Sequence, residues 1–115
     1  MLYKGSCHCG DIAFEVEGEI EAAVVCNCSI CSRKGALLWA VPRSDLQLIT
    51  PEEGIGRYVF SNHVIEHRFC RTCGIHPFAE DAATQADRSA YINIRCLEDV
   101  DISAIPTIEF DGRSM

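Results

Sequence analysis

Short runs of alternating apolar and polar residues make up most of this 115-residue chain. The stretch DIAFEVEG at 11–18 is the clearest case, because Ile12, Phe14 and Val16 fall on one face of an extended segment. A period of two is typical of strands with one buried face. The same pattern, or a short apolar run, predicts further strands at 21–26, 36–41, 46–49, 55–60, 64–69, 76–80, 90–96 and 106–110.

Turn residues separate these predicted strands, and helix signals are scarce. Turns are predicted at 17–19, 42–45, 51–54 and 61–63, where glycine, proline, serine and charged residues gather. A turn of helix is predicted at 29–34 and another at 99–104. Many short strands with little helix predict one all-β domain over residues 1–115, with a sandwich or barrel-like fold. In a domain of this size, the sheet edges and long connections are expected to need additional stabilising links.

Composition places the chain among folded soluble domains. It is 48% hydrophobic and 23% charged, with a net charge of −7 and a pI near 4.9. An acidic chain with scattered Lys and Arg predicts no nucleic-acid partner. The N-terminus lacks the pattern of a signal peptide, and no apolar run reaches the roughly 18–20 residues that span a bilayer. We therefore expect a cytoplasmic protein without a membrane partner, whose thiols stay reduced.

Cysteine is the unusual residue of this chain. Seven of the eight cysteines fall in three clusters, each where a predicted strand meets a turn: Cys7-His8-Cys9-Gly10, Cys26-Asn27-Cys28-Ser29-Ile30-Cys31 and Cys70-Arg71-Thr72-Cys73-Gly74. In a reducing compartment such clusters point to metal binding or catalysis before disulfides. C-x-x-C-G is a common zinc half-site, and the glycine accepts a positive φ that turns N–H groups toward the sulfurs.

Ligand counting divides the clusters into four and three. The first and last half-sites together supply four thiolates (Cys7, Cys9, Cys70 and Cys73), enough for a closed structural zinc site. The middle group, Cys26, Cys28 and Cys31, then supplies three ligands and leaves one position open, as catalytic zinc sites do. Arg33 and Lys34 follow directly and would offset part of the negative charge or receive a substrate carboxylate.

Other interpretations of the clusters stay open. The middle group would be a second structural site if a histidine completed it, and spacing alone also allows Cys7 and Cys9 to pair with that group. A redox role for Cys70-x-x-Cys73 is disfavoured because no βαβ unit surrounds it.

The remaining cysteine and the histidines are expected to be structural. Cys96 is expected to pack in the core. His8 lies between two expected ligands and should point away from their metal, and His63 lies in a turn where solvent should surround it. His67 and His76 flank the last cluster. Either histidine would serve as a hydrogen-bond donor to the metal ligands or as a proton carrier.

Four segments, in this order, resemble the family of glutathione-dependent formaldehyde-activating enzymes, which includes the centromere protein V domain. They are GSCHCG at 5–10, CNCSICSRKG at 26–35, HRFCRTCGIHPF at 67–78 and, more weakly, YINIRCLED at 91–99. The resemblance covers roughly residues 3–110. It implies an all-β, zinc-stapled sandwich or tent of short antiparallel strands with very little helix.

The resemblance also implies the sites and the activity. Two zinc ions are expected, a structural one on Cys7, Cys9, Cys70 and Cys73 and a labile one at the active site on Cys26, Cys28 and Cys31. The family's reaction joins formaldehyde to the thiol of glutathione, giving S-hydroxymethylglutathione, and is classed as carbon–sulfur lyase chemistry. The expected partners are therefore a glutathione-like thiol and a small aldehyde.

Two functions outside this enzyme class also fit the cysteine pattern. A non-catalytic module would use both zinc ions only to stabilise the fold and would bind a protein on a sheet face. A zinc or redox sensor would use a labile three-thiolate site that releases its metal on oxidation.

Overall fold

The computed structural model describes residues 1–60, 64–84 and 86–114. The predicted turn at 61–63, with His63, lies outside these residues. Within them the chain forms ten short strands in two sheets and one α-helix, α1 (Ser29–Lys34). The expectation of an all-β fold with very little helix is confirmed. None of the helices found here is long and apolar enough to cross a membrane.

The smaller sheet has three antiparallel strands. They are β1 (Leu2–Ser6), β2 (Ala13–Glu17) and β5 (Leu46–Leu48), in the order β1-β2-β5. The predicted alternation is visible in β2, where Phe14 and Val16 are buried and lie opposite Leu48 and Leu46. The sequence pattern did not predict β1, whose LYKGS stretch has no regular alternation.

The larger sheet has seven strands in the order β10-β3-β4-β9-β8-β7-β6. Their bounds are β3 (Ala23–Cys26), β4 (Leu38–Pro42), β6 (Ile55–Tyr58), β7 (Ile65–Cys70), β8 (Phe78–Asp81), β9 (Ser89–Asn93) and β10 (Thr107–Phe110). All neighbours are antiparallel except β10, which runs parallel to β3 at the sheet edge. The expected antiparallel pairing is therefore seen at every neighbouring pair of this sheet except β10 and β3, where Phe110 lies beside Cys26.

Two predicted elements are shorter than the pattern indicated, and in both a polar side chain ends or begins the element. The strand expected at 90–96 ends at Asn93, whose side chain accepts from the Arg95 N–H and starts a 3₁₀ turn. The helix expected at 99–104 is a 3₁₀ turn at Ile102–Ala104, where the Asp101 carboxylate accepts from the Ser103 N–H. Each cap gives a side-chain acceptor to a backbone N–H group that is not bonded within a strand or an α-helix.

The core lies between the two sheets, with one ionic cluster at its border. Phe14 of β2 meets Phe78 of β8, with ring centroids 6.0 Å apart. The carboxylate of Glu80 is fully buried in β8 and accepts from the guanidinium groups of Arg43, Arg68 and Arg88 at 2.8, 2.7 and 2.8 Å. Charge-assisted bonds of this kind fix β7, β8 and the chain entering β9 in one arrangement.

Candidate metal centres

The structure brings together the four cysteines of the first and last clusters. Cys7 and Cys9 lie in the loop from β1 to β2, and Cys70 and Cys73 lie in the turn that follows β7. Their sulfurs all lie within 4.8 Å of one another, and Cys9 Sγ is 3.7 Å from Cys7 Sγ and 3.5 Å from Cys70 Sγ. Tetrahedral zinc with Zn–S bonds of about 2.3 Å separates its sulfurs by about 3.8 Å. The four-sulfur cage therefore fits a zinc ion.

Backbone N–H groups point at these sulfurs. The Ile12 N–H donates to Cys7 Sγ at 3.3 Å, and the N–H groups of Thr72 and Cys73 donate to Cys70 Sγ at 3.4 Å. Backbone hydrogen bonds from Ile75 and Cys9 lower the pKa of Cys73 to about 6. Such bonds favour thiolates, the form that binds metal.

The two turns of this cage are built alike. Gly10 and Gly74 each follow the last cysteine of their pair and have φ values of +89° and +80°. This left-handed conformation suits glycine and turns the chain around the sulfurs. The Thr72 hydroxyl donates to Asp11 Oδ2 at 2.8 Å and ties the two turns together.

The second group contains Cys26, Cys28 and Cys31. Cys26 ends β3, Cys28 is the N-cap of α1 and Cys31 lies inside that helix, which Gly35 ends in a left-handed conformation with φ +67°. The three sulfurs lie within 4.8 Å of one another, and all three residues are half-buried. No fourth cysteine, histidine or carboxylate of the described residues joins this group. A three-ligand site is thus formed by one continuous segment.

Two thiols of this group have pKa values that are shifted in opposite directions. Burial raises the pKa of Cys31 to about 12, with help from Cys28 and Cys26. Burial also acts to raise the pKa of Cys28, but hydrogen bonds from the Cys31 and Ile30 backbone and from the neighbouring thiols lower it overall. Cys28 therefore favours the thiolate and Cys31 keeps its proton, and a divalent metal bound here would have to displace the Cys31 proton.

Asn27, between two of these cysteines, binds the C-terminal turn. Its backbone N–H donates to the Phe110 carbonyl at 3.2 Å, and its side-chain Nδ2 donates to Asp111 Oδ1 at 2.9 Å. Its Oδ1 accepts from the Arg113 N–H at 2.9 Å. The turn after β10 is thereby fixed beside the three-cysteine group.

Gly112 in this turn approaches the sulfurs closely. A Cβ atom at this position would lie 2.7 Å from Cys26 Sγ and 3.1 Å from Cys28 Cβ. Sequence reasoning did not identify Asn27 or Gly112 as site residues. The Asp111-Gly112 dipeptide signals a turn, but nothing near it in sequence indicates that this turn meets cysteines some 84 residues away.

Lys34, the last residue of α1, lies against His67. Its Nζ atom is 3.4 Å from His67 Nδ1. Burial lowers the pKa of Lys34, although the thiols of Cys31 and Cys28 act in the opposite direction. Burial, the charge of Lys34 and His76 lower the pKa of His67 to about 4, and burial and Lys34 lower that of His76. Both imidazoles are therefore neutral at pH 7.

The other predicted residues lie apart from these groups. Arg33 is exposed, and its guanidinium donates to the Ser29 carbonyl at 2.7 Å. His8 is also exposed, as expected for a side chain that points away from the cage. Cys96 is half-buried in the Ile94–Cys96 turn and belongs to neither group of sulfurs. All eight cysteines are among the described residues, and none of them forms a disulfide.

Comparison with known proteins identifies relatives of this chain. A crystal structure of a Rhodobacter sphaeroides protein is 33% identical to this chain and superposes with a TM-score of 0.77 over 91% of this chain and 99% of the other. The sequence model of the glutathione-dependent formaldehyde-activating enzymes matches residues 2–110. This chain therefore belongs to the family of glutathione-dependent formaldehyde-activating enzymes.

Proposed function

We propose that this chain is an enzyme of the carbon–sulfur lyase type, which adds a small aldehyde to a thiol or removes it. Formaldehyde and glutathione are the proposed substrates, since the family is named for them. The observation that carries the proposal is the difference between the two cysteine groups, one with four sulfurs and one with three.

The proposed division of labour follows from ligand number. Zinc is the metal proposed for both groups, because tetrahedral thiolate cages of this size suit it. Four thiolates at Cys7, Cys9, Cys70 and Cys73 satisfy a tetrahedral ion and serve the fold. Bound at Cys26, Cys28 and Cys31, zinc would keep one open position, where it would take up a thiol as thiolate and lower the thiol's pKa.

The residues around the three-cysteine group have roles of their own in this proposal. Asn27 holds the C-terminal turn against one side of the sulfurs. Lys34 brings a positive charge to the other end of α1 and offsets part of the negative charge of three thiolates. Arg33 is exposed enough to meet a carboxylate of the thiol substrate, a role that stays a prediction.

Metal exchange tests the proposal. The purified chain should contain two zinc ions, of which mild chelation removes one while circular dichroism stays unchanged. Cobalt(II) should refill that site, and glutathione should then shift the thiolate-to-cobalt absorption bands. The refilling should be lost in Cys28→Ser and retained in Cys96→Ser, whose sulfur lies outside both groups.

The opposite result would favour another function. Two ions that resist removal, with absorption bands that ignore glutathione, would mean a closed second site and a protein-binding module. Release of the second ion by mild peroxide, without any response to thiols, would instead favour a redox sensor.

A further inference from the structure

The ammonium group of Lys34 is half-buried and has no acidic partner among the described residues. No carboxylate of the described residues lies within ion-pair distance of it, and its one polar side-chain neighbour is the ring of His67, 3.4 Å away. Removing a charge from water without pairing it costs free energy. Groups kept in such surroundings are often functional.

Aromatic rings pack against His67, the neighbour of Lys34, and against His76. His67 is 6% exposed and stacks on Phe60, with centroids 5.7 Å apart and planes 24° apart. His76 packs on Phe69 at 5.5 Å. The Nδ1 atom of His76 is buried and has no hydrogen-bond partner in the part of the chain that the structure describes. Aromatic rings thus border both histidines, and one of these histidines contacts the Lys34 ammonium group.

This cluster adjoins the three-cysteine group. Lys34 follows Cys31 by three residues, so the two side chains leave α1 on the same face. The negative charge of the Cys31 and Cys28 thiolates also acts on Lys34. A molecule whose sulfur reaches the three-cysteine group would therefore place neighbouring atoms near the Lys34 ammonium.

We propose that Lys34, positioned by His67, binds an oxyanion beside the three-cysteine group. This inference rests on the proposed function, where the oxyanion is the oxygen of the aldehyde during addition. The sulfur's electron pair forms the new C–S bond, and the C=O π pair moves onto oxygen. The proton that the thiol gave up ends on that oxygen, so no further reagent is needed. Lys34 donates a hydrogen bond to the oxygen while its negative charge develops.

Formate is a suitable probe, because it presents a small oxyanion of the size of formaldehyde. Lys4 and Lys34 are the two lysines of the chain, so lysine labelled at Cε and Nζ gives one signal from each. In the zinc-loaded full chain, formate should shift the Lys34 signal in a saturable way and leave the exposed Lys4 as an internal control. Equal responses of the two lysines, or none, would overturn the oxyanion site.

Kinetics with formaldehyde and glutathione test the catalytic part. Lys34→Met should lower kcat by about 10²-fold, the usual effect of losing one oxyanion donor, with little change in the KM for glutathione. Lys34→Arg should recover part of the loss, and Lys4→Met should behave as wild type. Folding is not expected to fail, because methionine removes an unpaired charge and keeps the length of the side chain.

Two outcomes distinguish a failure of this inference from a failure of the proposed function on which it rests. Suppose that Lys34→Met weakens metal binding at the three-cysteine group as much as it lowers kcat. Lys34 would then act on the thiolates alone and not on the substrate oxygen, and the inference would be wrong although the proposed enzyme activity would stand. If instead glutathione never affects the cobalt spectrum and no turnover occurs, the proposed function fails. A saturable formate shift at Lys34 would then still support the oxyanion site, and its absence would overturn that too.

Discussion

Gly112→Ala should weaken metal binding at the three-cysteine group and leave the four-sulfur cage intact. The added Cβ would lie 2.7 Å from Cys26 Sγ, whereas ordinary contact begins at 3.4 Å, so the two atoms must separate by about 0.7 Å. Rotation of Cys26 would relieve the clash but would take its sulfur away from Cys28 and Cys31. Movement of the turn would instead break the hydrogen bonds that Asn27 makes to it.

The expected size of the effect follows from either route. Overpacking by one methyl group in a tight contact costs about 1–3 kcal/mol. At about 1.4 kcal/mol for each factor of ten, this is a roughly 5- to 150-fold loss of affinity for the second zinc ion. The free energy of unfolding should change less, because Asp111, Arg113 and Ser114 of the same turn are exposed and it lies at the edge of the sheet.

Competition with a chromophoric chelator measures the affinity of both sites in one titration. Gly54→Ala is the matched control, since its Cβ would meet no atom within 4 Å. The reasoning is refuted if Gly112→Ala binds both ions as wild type does, or if Gly54→Ala loses the second ion to the same extent.

Three further results are expected from single substitutions. Cys73→Ser should lower the melting temperature far more than Cys28→Ser; equal losses would mean that the division into fold-stabilising and open sites is wrong. Glu80→Ala removes the acceptor of three guanidinium groups and should cost about 3–5 kcal/mol in urea unfolding, against less than about 0.5 kcal/mol for the exposed Glu53→Ala. Burial holds the pKa of His67 at about 4, so the unfolded chain binds this proton first as pH falls. Stability should then decline between pH 6.5 and about 4 by up to roughly 3 kcal/mol, and by less in His67→Gln; parallel pH profiles would contradict this.

Period-two patterns identified the strands that have one buried face. Phe14 and Val16 alternate with exposed or half-buried residues, and so β2 was predicted within two residues of its observed ends. β1 could not be found in this way because Gly5 stands where an apolar side chain would be expected. A Cβ at Gly5 would lie 2.4 Å from the Phe14 ring, so the partner strand's aromatic side chain occupies that space.

Contacts between distant segments were beyond the reach of local patterns. The parallel pairing of β10 with β3 joins residues more than 80 positions apart, and its hydrogen bonds are backbone bonds that carry no sequence signal. The contact of Lys34 with His67 spans 33 positions. Cysteine spacing did identify the three clusters as metal-binding segments, because ligands for one ion recur at short intervals. It left open which clusters share an ion, and it carried no information on what surrounds them.

The separation of the ligands along the chain also distinguishes the two cysteine groups. The four-sulfur cage joins Cys9 to Cys70 across 61 positions, whereas Cys26 and Cys31 are five positions apart. A metal ion that closes the longer loop removes more freedom from the unfolded chain, and each doubling of loop length adds about 0.6 kcal/mol. The difference between these two loops is roughly 2 kcal/mol. We therefore expect a metal ion in the cage to contribute more to the stability of the fold, and we expect the local group to lose or exchange its ion without unfolding the sheets around it.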